Sequence, residues 1–218
     1  MKLAIYGSGG SGCELYDLAT RCNNVQKKWD KIVFIDDFKK SKHEYLADII
    51  KFDDLVRNKN DYEVVISLGE PASRKALYEK LKKENITLAK LIDPTAIVSS
   101  SATIGEGTIL SEYTVIHCNV KIGKNCLMQP YTGLGHGSVT GNHCVFSSHF
   151  SPGGDCKFGD CVYCGLHSII KEKLTIGGNA VVSMGACVFH DVAEDSVVIG
   201  NPARPSIKNT SGKVFRSL

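Results

Sequence analysis

The 218-residue sequence is short of several things at once. It contains no apolar run of the roughly 18 residues that a membrane-spanning helix needs. The apolar run that opens the chain, Leu3–Tyr6, is too short for a secretory leader and gives way at once to glycine and serine, as a strand does at a turn. Charge of one sign is also missing. Lys and Arg number 26 against 23 Asp and Glu, a net +3, and no basic cluster is interleaved with aromatics as a nucleic-acid surface would require. Together these absences point to a cytoplasmic protein with neither a nucleic-acid nor a membrane partner. Residues 98–188 lack a further feature, the apolar spacing of three and four that an amphipathic helix shows.

That segment has a period of six instead. Stepping by six from Val98 through Ile104, Leu110 and Ile116 to Val188 gives sixteen positions, thirteen of them large and apolar. The following residue is glycine at eight of the sixteen, from Gly105 to Gly177. Two residues before each apolar position the side chain is small or β-branched at fourteen of sixteen, as at Ala102, Thr108 and Thr114. One large and one small inward residue per six, with glycine at the bends, is the pattern of a hexapeptide β-helix. Stacked coils of this kind bury a continuous core and pair their strands about 4.8 Å apart.

The first ninety-odd residues alternate strand and helix. Strands are expected at Lys2–Tyr6, Ile32–Ile35, Glu63–Leu68 and Leu88–Ile92, and helices at Glu14–Cys22 and Ser73–Asn85. This spacing implies a small Rossmann-like parallel sheet. Asp93-Pro94 marks the crossing into the coils, because the residue before proline avoids helical geometry. The chain therefore divides into an α/β domain, 1–93, and a β-helix domain, 94–218, with a polar C-terminal end expected to be loose.

Gly7-x-Gly9-x-x-Gly12 lies between a strand and a helix, the context in which backbone N–H groups and a helix N-terminus hold a phosphate. Asp36 follows about 24 residues on, placed to meet a ribose or base. A dinucleotide such as NAD would need two βαβαβ halves, and the chain leaves after one. A purely structural turn is the plain alternative. A half-site for a nucleotide diphosphate, such as a nucleotide sugar, fits best.

Nine cysteines invite a metal or disulfide reading, and Cys161-x-x-Cys164 has half the spacing of a zinc site. The hexad register argues otherwise. Cys164 occupies a large inward position, and Cys126, Cys144 and Cys156 occupy small ones, as core thiols of a reducing compartment would. No metal is expected.

Several segments together carry a family resemblance: Ile5-Tyr6-Gly7-Ser8-Gly9-Gly10, Phe34-Ile35-Asp36-Asp37, Ser67-Leu68-Gly69 with Arg74, the hexads, and Gly200-Asn201-Pro202-Ala203. The chain resembles the bacterial acetyltransferases of nucleotide-linked 4-amino sugars, whose layout the sialic acid O-acetyltransferases share. The resemblance implies a left-handed parallel β-helix of triangular section, with three hexads to a coil so that residues 18 apart stack in columns, a homotrimer with active sites between subunits, and acetyl-CoA as co-substrate. The product implied is an N-acetylated UDP- or dTDP-linked 4-amino-4,6-dideoxy sugar for surface glycans. It implies substrate contacts from Gly9, Gly10, Ser11, Asp36, Asp37, Gly69 and Arg74. It implies acetyl-CoA contacts from Val145, Gly154, Gly165, Leu166, Met184 and Gly185. The family's catalytic histidine maps onto Leu134-Gly135-His136-Gly137, which makes His136 the general base, since an imidazole titrates near neutral pH.

Three positions depart from the family pattern. Gly137 replaces the acid that usually follows the histidine, Ser11 replaces a histidine of the glycine loop, and Val145 stands where relatives carry a histidine near the thioester. Glu172, two coils from His136, is too distant to replace the missing acid, so another subunit would supply one or an amine acceptor would need less help. O-acetylation of a sialic acid or related sugar, and a non-catalytic nucleotide-sugar-binding protein, are the alternatives. In a second column, Tyr113, Tyr131, His149 and His167 stack at a corner, either as a solvated ladder or as a wall of the groove between subunits. His143 stacks with Asn125, Cys161 and Asn179 in a column read as structural.

Overall fold

The computed structural model describes residues 1–38 and 47–215. The N-terminal part runs β1 (Lys2–Tyr6), α1 (Gly10–Gln26), β2 (Lys31–Ile35), β3 (Ile49–Ile50), α2 (Phe52–Arg57), β4 (Tyr62–Ile66), α3 (Pro71–Lys83) and β5 (Thr87–Leu88). Its five strands form one parallel sheet in the order β3-β2-β1-β4-β5. Side chains alternate across it as the pleat requires. Leu3 and Ile5 pack with Leu15, Leu18 and Cys22 of α1, whereas Ala4 packs on the other face with Leu55 of α2 and Leu81 of α3.

Helix α1 starts at Gly10, four residues before the expected Glu14, because the glycine loop has already turned helical by then. It ends where Lys27 takes a left-handed conformation (φ 50°) and donates to the carbonyl of Asn23. Pro71 opens α3, where its missing N–H costs nothing. Neither β3 nor α2 was expected, since two and six residues are too few to show a period.

The strand expected at Leu88–Ile92 is two strands. The Ala89 amide donates to Val64 of β4, but the Leu91 amide donates to Thr108 of the first coil. Residues 91–92 thus form β6 (Leu91–Ile92), the first rung of the β-helix, paired with Ile109–Leu110. The chain changes sheets at Lys90, before Asp93-Pro94.

From β6 onward the chain winds as a left-handed parallel β-helix of two-residue strands. Strand partners are 18 residues apart, as in Leu127 with Ile109 and Tyr163 with Val145. One face runs from Leu91–Ile92 through Leu127–Met128 and Val181–Val182 to Ser196–Ile199. A second carries Ile97–Val98 to Gly133–Leu134 and then Ser151–Pro152 to Cys187–Val188, and the third runs from Thr103–Ile104 to Thr175–Ile176. Pro152 is tolerated because the amides of Ser151 and Gly153 donate to the next coil (3.1 and 2.8 Å), a role its own nitrogen never has. Inside, the large and small positions form one buried column of side chains. Phe150, large where a small residue is the rule, stacks on Phe146 (5.0 Å) and meets Phe158 edge-on (6.0 Å).

The eight recurring glycines do not supply the bends by positive φ. Left-handed residues occur two positions later and are mostly not glycine: Tyr113, Asn125, Tyr131, His143, His149 and Asp155 all have φ between 53 and 61°. Gly105, Gly123, Gly141, Gly159 and Gly177 instead form a column in which an added Cβ would run into backbone of the next coil or, at Gly141, also the Asp160 carboxylate. Close stacking of successive turns requires them.

Helix α1 lies between the sheet and the first β-helix face. Leu15 and Leu18 share one buried cluster with Leu91, Ile109, Leu127 and Val145. The described end of the chain is tied down, contrary to expectation. Arg204–Lys208 pairs antiparallel with Ser196–Ile199, and the amides of Val214 and Phe215 donate to Glu70 Oε2 (2.9 and 3.0 Å).

Candidate active site

The glycine loop lies at the carboxyl end of the sheet, where ligands of open α/β sheets bind. Gly7 has φ +108° and an added Cβ there would overlap Ser67 Oγ, while one on Gly12 would overlap the Gly7 carbonyl. These two glycines shape the turn. Gly9 and Gly10 are different: a Cβ on either would meet no atom within 4 Å. They face open space at the start of α1, whose N-terminus has no side-chain cap and no acid in its first turn. An anion placed there would meet free N–H groups and the positive end of the helix dipole.

Asp36 and Asp37 end β2 beside this loop. Ser8 Oγ donates to Asp36 Oδ2, and the Phe38 amide donates to its other oxygen (2.9 Å). Asp37 accepts from the Phe52 amide at the start of α2 (2.9 Å) and from Tyr6 Oη (3.4 Å). Burial and the charge of Asp37 push the Tyr6 phenol up to about 12, so it stays a donor. Gly69, also with open space at its Cβ position, follows β4 on the same edge. Gly9, Gly10, Ser11, Asp36, Asp37 and Gly69 are therefore brought together.

Arg74 is not among them. Its side chain has no exposed surface; it donates to the carbonyls of Ile66, Leu68 and Asn125 and to Asn125 Oδ1 (2.8–3.1 Å). Burial pulls its guanidinium down to about 10. It bolts α3 to the β-helix and cannot touch a substrate, which corrects its assignment.

Between α1 and the β-helix lies a cavity of about 300 Å³ lined by Ser11, Glu14, Arg21, Ser67, Glu112 and Gln129, among others. Arg21 is held by Asp93 (2.7 Å) and Glu112 (3.0 Å). Burial alone would raise the Asp93 carboxyl, but hydrogen bonds from Thr95 and Arg21 outweigh it and hold it below its ordinary value. The acids and Arg21 were not singled out in the sequence, because they gather only when α1 docks on the coils.

At the corner bordering this cavity the rings of Tyr113, Tyr131, His149 and His167 stack at 4.9, 4.9 and 4.5 Å. Further along the same face an apolar groove of about 290 Å³ is lined by Tyr163, Gly165, Leu166, Met184, Val214 and Phe215, among others. Three of the six residues expected at acetyl-CoA thus share one groove, and Gly185 is the exposed residue next to it. Val145 is a correction. It is 1% exposed, packed beneath α1, with no surface to offer a ligand.

His136 and Gly154 are at a different corner, between the second and third faces. The imidazole lies against Gly154, where a Cβ would come within 2.5 Å of Cε1 and Nε2. The ring is largely exposed, and its Nδ1 is 3.9 Å from Asp155 Oδ2. An acid of the same chain therefore stands by His136 although Gly137 carries none. The signal was available: Asp155 is 18 residues beyond Gly137 and stacks on it. Glu172 contacts Gly153, a coil beyond, and is not the partner.

His143, by contrast, is buried at the domain junction, bonded to Asn125 Nδ2 (3.0 Å) and edge-on to Tyr78 (5.0 Å). Burial pulls it down to about 4, so it is neutral. All nine cysteines are free, with Cys161 and Cys164 buried and their thiols raised by that burial. Among the described residues no three His, Cys, Asp or Glu side chains are grouped to hold a metal.

Comparison with known proteins bears on both halves of the chain. Residues 2–81 match the family described as the PglD N-terminal domain. WeeI from Acinetobacter baumannii AYE is 26% identical, with a TM-score of 0.88 over 94% of this chain and all of that one. The acetyltransferase domain of PglB from Neisseria gonorrhoeae FA1090, solved also with acetyl coenzyme A, is 23% identical with a TM-score of 0.85 over 94% of this chain and 98% of that one. Perosamine N-acetyltransferase from Caulobacter crescentus, solved as a histidine-to-asparagine mutant with CoA and GDP-perosamine, is 19% identical with a TM-score of 0.87 over 95% of this chain and 98% of that one. The last two likenesses establish the fold. Among curated proteins, an acyl-[acyl-carrier-protein]–UDP-N-acetylglucosamine O-acyltransferase of Pseudomonas putida is 28% identical over 127 residues, 55% of this chain. The chain spans about half the length (47%) of that relative.

Proposed function

We propose that this chain transfers an acetyl group from acetyl-CoA to the amino group of a nucleotide-linked amino-deoxy sugar, with His136 as general base. The observation that carries the reading is the pairing, in one chain, of an uncapped glycine-loop helix with an exposed imidazole on a hexapeptide coil. Relatives of the same two-part fold have been solved with acetyl coenzyme A and with CoA and GDP-perosamine, which supports both co-substrates and adds GDP to the carriers considered.

The nucleotide diphosphate would lie on Gly9, Gly10 and Ser11, and the pantetheine arm along Gly165, Leu166 and Met184. The sugar amine attacks the thioester carbonyl carbon, and His136 Nε2 takes the proton that the nitrogen gives up as the C–N bond forms. The C–S bond breaks and CoA leaves as its thiolate, which the imidazolium can reprotonate. The protein orients both partners and moves one proton, and no step needs a metal.

Within one chain the parts do not meet. The glycine-loop cavity and the apolar groove share one corner, and His136 is on the next, a full strand face away. A homotrimer, with His136 of a neighbouring copy completing each site, closes that gap. Both co-substrates belong to the cytoplasm, where we place the reaction.

A second reading, O-acyl transfer, is favoured by the curated O-acyltransferase relatives. One experiment decides. Thioester consumption is measured against UDP-, dTDP- and GDP-linked amino sugars and their hydroxyl counterparts, and the product is treated with mild base. An alkali-stable amide formed only with amino sugars is expected. An ester supports the second reading, and no turnover with any acceptor overturns both.

A further inference from the structure

Gly137 stands in this chain where the family resemblance implies an acid next to the histidine. We propose that Asp155, stacked on Gly137, is the positioning residue for His136 and fixes which ring nitrogen carries the proton. The inference rests on the reading of His136 as the base.

Four observations on one corner carry it. The Asp155 carboxylate is 3.9 Å from His136 Nδ1, and the Asp155 amide donates to the His136 carbonyl (2.7 Å), which ties the two residues together across the coil. Gly154 is bare of a side chain under the imidazole, so the ring lies down toward Asp155. A Cβ on Gly137 would overlap Asp155 Oδ1, so the carboxylate occupies the volume that a side chain at 137 would need. Gly137 and Asp155 both hold left-handed backbone (φ 68 and 58°), which glycine and aspartate adopt more readily than most residues. A side chain at 137 would have to displace that carboxylate from its place beside the imidazole, and this chain has none there.

The chemistry follows from the geometry. A carboxylate at Nδ1 favours the tautomer with its proton there and leaves Nε2 as the acceptor. It also favours the imidazolium formed as the amine is deprotonated. A separation of 3.9 Å is longer than a hydrogen bond, and such contacts shorten when the reacting complex forms. The other titratable groups on this corner include His117 and Cys118 on the preceding coil and Lys171, Glu172 and Lys173 on the following one. Lys121 and Lys157 are on the adjoining strands.

The test uses the full chain. In the unliganded protein, the tautomer of His136 is read from its imidazole 15N resonances, assigned by their loss in His136→Gln. In Asp155→Asn the preference for a proton on Nδ1 should be lost. Gly137→Ala, which displaces the carboxylate without removing it, should weaken that preference too. In turnover, Asp155→Asn should lower kcat about ten-fold and spare KM for acetyl-CoA, less than the roughly 10²–10⁴ that loss of a general base itself costs. Asp155→Glu should recover part of that loss. An unchanged His136 tautomer in both variants, or an unchanged kcat in Asp155→Asn, overturns the proposal. Full activity in His136→Ala would overturn the assignment of the base itself. The tautomer measurement reads the pairing separately.

Discussion

At the junction of α3 with the coils, Asn125 satisfies three partners at once. Its oxygen accepts from Arg74, and its amide donates to the Arg74 carbonyl and to His143 Nδ1, each within 3.0 Å. The arrangement needs an unprotonated Nδ1, because a proton there would face another donor. Burial enforces this by pulling His143 down to about 4 from its ordinary 6.5. The sign of the consequence follows. Between those values the unfolded chain binds a proton that the folded chain refuses, so stability is fully present above about pH 6.5 and is lost as pH falls toward 4. For a buried imidazole and a shift of that size the loss is on the order of 3 kcal/mol. His143→Gln keeps an acceptor but does not titrate, so its melting temperature should decline less between pH 6.5 and 4 than that of the wild type. Parallel curves over that range would show that His143 does not titrate against folding.

Coil stacking sets what single elements tolerate. Gly123 packs beneath the backbone of Gly141, and an added methyl group there would overlap the Gly141 carbonyl. Gly123→Ala must therefore push two turns apart and should cost about 1–3 kcal/mol, read as a shift of the denaturation midpoint. Gly9→Ala is the matched control, with open space at its Cβ and φ −87°, and its midpoint should be unchanged. A midpoint for Gly123→Ala equal to that of Gly9→Ala would mean that the coils yield more easily than their spacing indicates. The left-handed corners work the other way. Twelve β-helix corners are turned by Asn, His, Tyr, Asp, Cys or Lys at φ 53–63°, each held by the hydrogen bonds of stacked neighbours.

Over the whole molecule, α1 is the shared layer. It covers the first coils of one β-helix face and one face of the sheet, and leaves the later coils of that face to the apolar groove, while the two remaining faces present Ile97, Val139 and Ile169 to the outside. The His136 corner separates those two faces, on the side away from α1. If three copies associate through this region, each active site draws its glycine loop from one chain and its base from another. Light scattering should give three times the 23.7 kDa chain mass. Mixing is the sharper check. His136→Ala chains and Gly9→Val chains, each inactive alone, should regain activity when unfolded and refolded together. A monomer with full activity, or no recovery in the mixture, would place the whole site within one chain.

The sequence by itself determined the period of six, the two-part division, the glycine loop at a strand end and the column to which each histidine belongs. Its period of two in the strands and six in the coils is a local property, set by which side chains point inward. His136 was singled out because register and family resemblance met at one residue. Asp155 was not, because an acid was sought beside His136 along the chain, whereas the stacking neighbour of Gly137 is 18 residues away. Arg74 and Val145 were read as ligand contacts because neither helix period nor hexad register says what will cover an outward side chain. Docking of α3 buried the first against Asn125, and docking of α1 buried the second. What only the tertiary structure decided is which outward positions stay exposed, and therefore which can meet a ligand. That depends on contacts between elements far apart in the chain, and no local pattern encodes them.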